Sequence, residues 1–132
     1  MTQQPPDLEP APERRFALEE AEAALPDLRE ALARMQEARQ TLLRTADHVK
    51  EVVAGNGGGP TSNEYREAAE TLKAEVERIS AQGIILRDVE SGLVDFPAER
   101  DGREIYLCWR LGEDHVAHWH PPETGMAGRQ PL

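Results

Sequence analysis

Asp95, Cys108, His118 and His120 are the residues whose types and spacing could do chemistry. They fall in two apolar stretches, LVDFP (93–97) and IYLCWRLGEDHVAHWH (105–120), the second holding the single cysteine, both tryptophans and three of the four histidines. Neutral imidazole, thiolate and carboxylate can together ligate zinc, and a thiolate paired with histidine can act as a nucleophile. Tyr106, Arg110, Glu113 and Arg129 would add donors and acceptors for recognising a ligand or partner. Whether these groups meet depends on strand register.

Asp101-Gly102 is a strong two-residue hairpin signal. Centring the turn there puts Phe96 opposite Leu107, Val94 opposite Trp109 and Asp95 opposite Cys108. One face then carries Val94, Phe96, Ile105, Leu107, Trp109 and Leu111, and the other Asp95, Tyr106, Cys108 and Arg110. The next strand, HVAHWH (115–120), follows Gly112-Glu113-Asp114. A two-residue turn would send Val116, His118 and His120 to the apolar side. A three-residue bulged turn would send Trp119 there instead, with His118 opposite Cys108 and His120 near Tyr106. Burying a large side chain stabilises by ~1.5–3 kcal/mol, whereas each buried imidazole needs partners. The bulged turn is therefore expected, with both histidines on an outward polar face beside Asp95, Tyr106, Cys108 and Arg110.

A flat sheet face converges poorly on one ion, so packing and pairs such as Asp95–Arg110 are the first reading. On that reading Cys108 is a small half-buried hydrophobe.

The elements that must position these residues follow from composition and period. Residues 1–15 carry prolines at 5, 6, 10 and 12 and read as a disordered lead-in. One domain is expected over 16–132, with a helical hairpin at 16–83, a β-meander at 84–120 and an irregular tail at 121–132. A short helix over 18–24, a restart at Pro26 and a long helix to about Ala54 are predicted. Leu28, Met35, Leu42 and Val49 recur every seven residues, with Leu32, Arg39, Ala46 and Val53 four further on. GNGGGP (55–60) lacks the Gly-Lys-Ser/Thr of a phosphate loop and reads as a turn. Thr61 and Glu64 have capping-box spacing, and Tyr65, Ala69, Leu72, Val76, Ile79 and Gly83 continue the heptad. After Gly83 the period becomes two, giving three or four antiparallel strands. The fold class is α+β.

Charge narrows the partners. The chain has 25 acids against 15 bases, a net charge of −10, and no basic segment, which argues against nucleic acid and anionic membranes. Its start has neither the basic nor the apolar region of a signal peptide, and one cysteine fits a reducing compartment, so a cytoplasmic location is expected. Hydrophobic residues make up 39% but aromatics only 5%, so the core is aliphatic and small. Two heptad helices with so little core point to homo-oligomerisation through the hairpin.

Three stretches carry a resemblance to a known family. FALEEAEAALPDLREAL (16–32), GLVDFPAERDGREIYLCWRLGE (92–113) and WHPPETGMAGRQPL (119–132) resemble the prokaryotic DUF2203 family, which has no established activity. The family's boxes map to Gly92 through Pro97, to Leu107 through Glu113, and to Trp119, His120, Gly125 and Arg129. The resemblance implies a fold and a motif-bearing surface, not a reaction.

Function is thus expected to be that of a non-enzymatic oligomeric scaffold or adaptor. Its polar sheet face (Asp95, Tyr106, Cys108, Arg110, Glu113, His118, His120 and Arg129) would recognise a protein or small ligand. The alternative is a small metal-dependent or hydrolytic enzyme or regulator. No cofactor is expected on the first reading, and a divalent metal on Asp95, Cys108, His118 and His120 on the second.

Overall fold

The structure, a computed structural model, describes residues 14–53 and 62–132. Most of the lead-in, the glycine-rich connection and Thr61 of the capping box lie outside the described residues. Two helices, α1 (Leu18–Val53) and α2 (Ser62–Ala81), precede a five-stranded antiparallel sheet in the order β1 to β5. Its strands are β1 (Ile85–Asp88), β2 (Leu93–Arg100), β3 (Arg103–Arg110), β4 (His118–His120) and β5 (Gln130–Pro131). No helix among the described residues is long and apolar enough to cross a membrane.

The fold is α+β, as the change of period predicts. Arg14 and Arg15, assigned to the lead-in on composition, are instead tied down: Arg14 donates to the Gln82 carbonyl at 2.8 Å and Arg15 pairs with Glu104.

Helix α1 opens with Ala17 as its cap, which cannot accept a hydrogen bond through its side chain. Glu20 supplies half of a capping box, accepting the Ala17 N–H at 3.0 Å. The helix then runs unbroken through Pro26, where a restart is expected from sequence. Proline inside a helix costs ~3 kcal/mol. Here Pro26 faces solvent, and Ala21, Leu25, Leu28, Ala31, Leu32 and Met35 bury a continuous stripe that holds the helix through it. The pairs Asp27–Arg78 and Arg34–Glu75 align α2 antiparallel to α1. Ile79 joins the core.

Asp101 and Gly102 have φ of 53° and 77°, the two left-handed positions of a type I′ turn. That turn sets the expected register, with Val94 opposite Trp109, Asp95 opposite Cys108 and Phe96 opposite Leu107. Val94, Phe96, Ile105, Leu107 and Trp109 pack under α1. Phe16 seals the end of this layer, its ring 5.2 Å from Phe96 in an edge-to-face contact and its N–H donating to the Pro97 carbonyl at 2.7 Å. Gly92 lies just before β2. Its φ is 70°, and a Cβ there would lie 2.5 Å from that of Leu111, so no other residue fits without moving the backbone.

The connection from β3 to β4 departs from a three-residue turn. It spans 111–117, and only His118–His120 pair as β4. The register is still Leu107 opposite Trp119 and Cys108 opposite His118. Val116 lies outside the strand, so its side chain is buried in the core without changing that register. Helix α1 fastens the loop: Glu22 accepts the Val116 N–H at 2.6 Å, and Arg29 donates to the Asp114 carbonyl at 2.9 Å. The tail is not irregular throughout, since it forms a 3-10 turn at Gly125–Gly128 and then β5 against β4.

Candidate functional site

Three neighbouring strands bring Asp95, Cys108 and His120 together on the sheet face away from the helices. Asp95 on β2 and Cys108 on β3 are cross-strand partners, and His120 on β4 pairs with Tyr106. His120 therefore reaches across β3 to meet Asp95. Its Nε2 lies 3.1 and 3.0 Å from the two carboxylate oxygens. Its Nδ1 donates to the Pro121 carbonyl at 2.8 Å.

This arrangement fixes the imidazole chemically. A carbonyl only accepts, so Nδ1 carries a hydrogen, which leaves the Nε2 lone pair aimed at an acceptor-only carboxylate. A proton must therefore sit between Nε2 and Asp95 unless another cation does. Arg87 completes the carboxylate's shell, its Nε donating to Oδ2 at 2.9 Å.

The face is not outward, contrary to the expectation from alternation. Asp95 and His120 are each 2% exposed and Cys108 0%. Alternation tells which side a residue takes but not what covers that side. Here the Tyr106 ring lies 5.4 Å from that of His120, the Arg87 guanidinium lies 5.2 Å over Tyr106, and the chain after β4 folds back. Trp119, expected in the core, is only half-buried, with the Arg100 guanidinium 4.7 Å over its ring.

Cys108 cannot serve as a ready nucleophile. Burial, then the charge of Asp95, pushes its thiol up to about 11, against a weaker downward pull from Arg129. A reactive cysteine needs a thiolate and an approach path, and this side chain has neither at neutral pH.

A second cluster lies beside the first. Arg129 pairs with Glu113 and reaches the Cys108 carbonyl at 3.4 Å. Glu113 also accepts the Arg110 N–H at 2.8 Å, while its own carbonyl accepts Trp109 Nε1 at 3.1 Å. Burial would raise the Glu113 carboxyl, but Arg129 and the Arg110 N–H outweigh it and hold the group below its ordinary value. His118 turns toward this cluster, its Nδ1 3.8 Å from Glu113 Oε2. That nitrogen and Arg129 Nε are buried without a hydrogen-bond partner.

The eight residues singled out from sequence thus divide. Asp95, Cys108 and His120 converge, with Tyr106 stacked on them. Glu113, Arg129 and His118 form the neighbouring group. Arg110 gives only its backbone and is otherwise exposed, so the expected Asp95–Arg110 pair is replaced by Asp95–Arg87. Arg87 was not among the residues singled out from sequence. It is the extra residue where the β1–β2 register shifts between Leu86 and Asp88, and an irregularity of that kind leaves no mark in the alternation.

No curated protein and no solved structure matches the chain. A family model described as "Uncharacterized conserved protein (DUF2203)" matches residues 14–132. The Asp95, Cys108 and His120 cluster and the Glu113–Arg129 pair both lie within that match, and the chain belongs to the DUF2203 family.

Proposed function

We propose that the protein is a non-enzymatic scaffold that dimerises through its helical hairpin. One observation carries this reading: the hairpin leaves large apolar side chains uncovered. Leu43 is 49% exposed, Tyr65 48% and Val76 38%, and Leu42, Ala69 and Leu72 beside them are only half-buried. The heptad positions of α2 thus bury Ile79 in the chain's own core and leave Tyr65 and Val76 outside it.

A second copy of the chain is the occupant that fits. Arg39 and Arg44 lie among Glu37 and Asp47 on α1, and Arg66 and Lys73 among Glu64, Glu67, Glu70 and Glu77 on α2. Signs interspersed this way allow an antiparallel copy to set opposite charges together. Two hairpins would then close a four-helix bundle of the coiled-coil kind. The high pKa and burial of Cys108 support the non-enzymatic part of the reading, and a single buried thiol supports a cytoplasmic location. The exposed rim of the sheet, including Arg110, would remain free for a partner.

Light scattering on the unmutated chain tests this. The expected result is twice the chain mass, falling to one chain mass in Leu43→Glu with helical circular dichroism retained. A stable monomer of the unmutated chain would overturn the proposal.

A further inference from the structure

The Asp95, Cys108 and His120 cluster carries a second function, independent of how the hairpins associate. We infer that these three side chains form a binding site for a divalent transition metal, with zinc as the best match. One ligand atom from each residue lies within 4.8 Å of the other two, and all three residues are buried. In a tetrahedral zinc site, bonds of ~2.0 Å to nitrogen and oxygen and ~2.3 Å to sulfur place ligand atoms roughly 3.3–3.6 Å apart. Nε2 and Asp95 Oδ1 are already 3.1 Å apart, so small side-chain rotations close the set around an ion.

The surroundings are those of a ligand set. The Pro121 carbonyl holds the Nδ1 hydrogen, which fixes the tautomer that offers Nε2. Arg87 occupies Asp95 Oδ2 and leaves Oδ1 for a metal. Each ligand comes from a different strand, and the sheet register fixes the spacing before any ion arrives.

Donor chemistry selects the ion. A thiolate and an imidazole favour zinc and its neighbours over magnesium or calcium, which take oxygen ligands. Thiolate and carboxylate together neutralise the charge of a divalent cation in a buried site. Binding replaces the Cys108 S–H bond with a sulfur–metal bond and displaces the proton between Nε2 and Asp95, so both protons leave to solvent. The fourth position falls to water or a small exogenous donor. His118, whose Nδ1 faces Glu113, is not part of the set.

The single cysteine makes the test specific. Full-length chain, purified without a tag and stripped with a chelator, is titrated with Co2+ as a spectroscopic probe. The expected result is one equivalent bound, with the intense visible bands of a four-coordinate ion and a sulfur-to-cobalt charge-transfer band that only Cys108 can give. One equivalent of Zn2+ should abolish both. Cys108→Ser should lose the charge-transfer band and weaken Zn2+ binding at least about tenfold. If the unmutated chain leaves Co2+ with the pale spectrum of the hydrated ion, the proposal is overturned. Zn2+ affinity unchanged in a folded Cys108→Ser would overturn it as well, and should that variant not fold, the spectrum of the unmutated chain decides.

Discussion

Asp95→Asn is the most informative single change, because it alters charge and hydrogen bonding at one buried atom without altering shape. The carboxylate Oδ2 accepts from Arg87 Nε at 2.9 Å and faces His120 Nε2 at 3.0 Å. An amide nitrogen at Oδ2 would set a donor against the Arg87 donor. Flipped, it would point at His120 Nε2, which must then lose its proton to accept. Removing one partner from a fully buried ion pair costs about 3–5 kcal/mol. Here Arg87 is 32% exposed, so water recovers part of its solvation. The expected loss is about 2–3 kcal/mol, or a fall in Tm of roughly 6–12 °C for a domain of this size. Thermal unfolding by circular dichroism, with chelator present throughout, measures it. In a double-mutant cycle Arg87→Gln should cost clearly less once Asp95 is replaced, the remainder reflecting its contact with Tyr106. A Tm within about 2 °C of the parent would refute the claim that this network holds the sheet together.

Three further outcomes follow from the geometry. Cys108 should resist a thiol reagent in the native chain at about pH 8, because a rise from 9.0 to about 11 leaves about a hundredfold less thiolate and the side chain is buried; stoichiometric labelling only after denaturant confirms it, and rapid native labelling refutes it. Truncation after Pro121 removes Arg129 and β5, so the Tm should fall by at least roughly 5 °C and Cys108 should become reactive without denaturant, whereas an unchanged midpoint would make the tail dispensable. The Glu113 carboxyl is held below its ordinary 4.5, so its contribution is present above that pH and is lost as pH falls through the lower folded value. Glu113→Gln should therefore be less stable than the parent at neutral pH and lose less on acidification, read from urea midpoints at pH 7 and at about pH 3.5.

Local rules made much of this architecture legible. The Asp101-Gly102 turn fixed the β2–β3 register to the residue, and the Trp119 argument chose the β4 register that is observed. The heptad stripe marked Leu28, Leu32 and Met35, all of them buried. What the sequence hid depends on parts distant along the chain. Pro26 reads as a break because its penalty is local, while the packing that overrides it comes from the sheet. Val116 competed with Trp119 only while both were assumed to lie in one strand. The polar face reads as outward because alternation carries no information about Arg87, Tyr106 and the tail that cover it.

The fastening of the β3–β4 loop by α1 has a consequence for the order of folding. Glu22 and Arg29 hold backbone groups of residues 113–116, which lie 84 to 94 positions further along the chain. Contacts of such separation form late, since a large loop must close before any of them stabilises the chain. The hairpin partners of α1 come sooner, in α2. On a ribosome adding ~5–20 residues per second, the Leu25, Leu28 and Leu32 stripe waits several seconds for the strands that cover it. Sheet closure is then the step that separates a sticky, partly folded hairpin from the finished molecule, and Glu22 and Arg29 act only at that step.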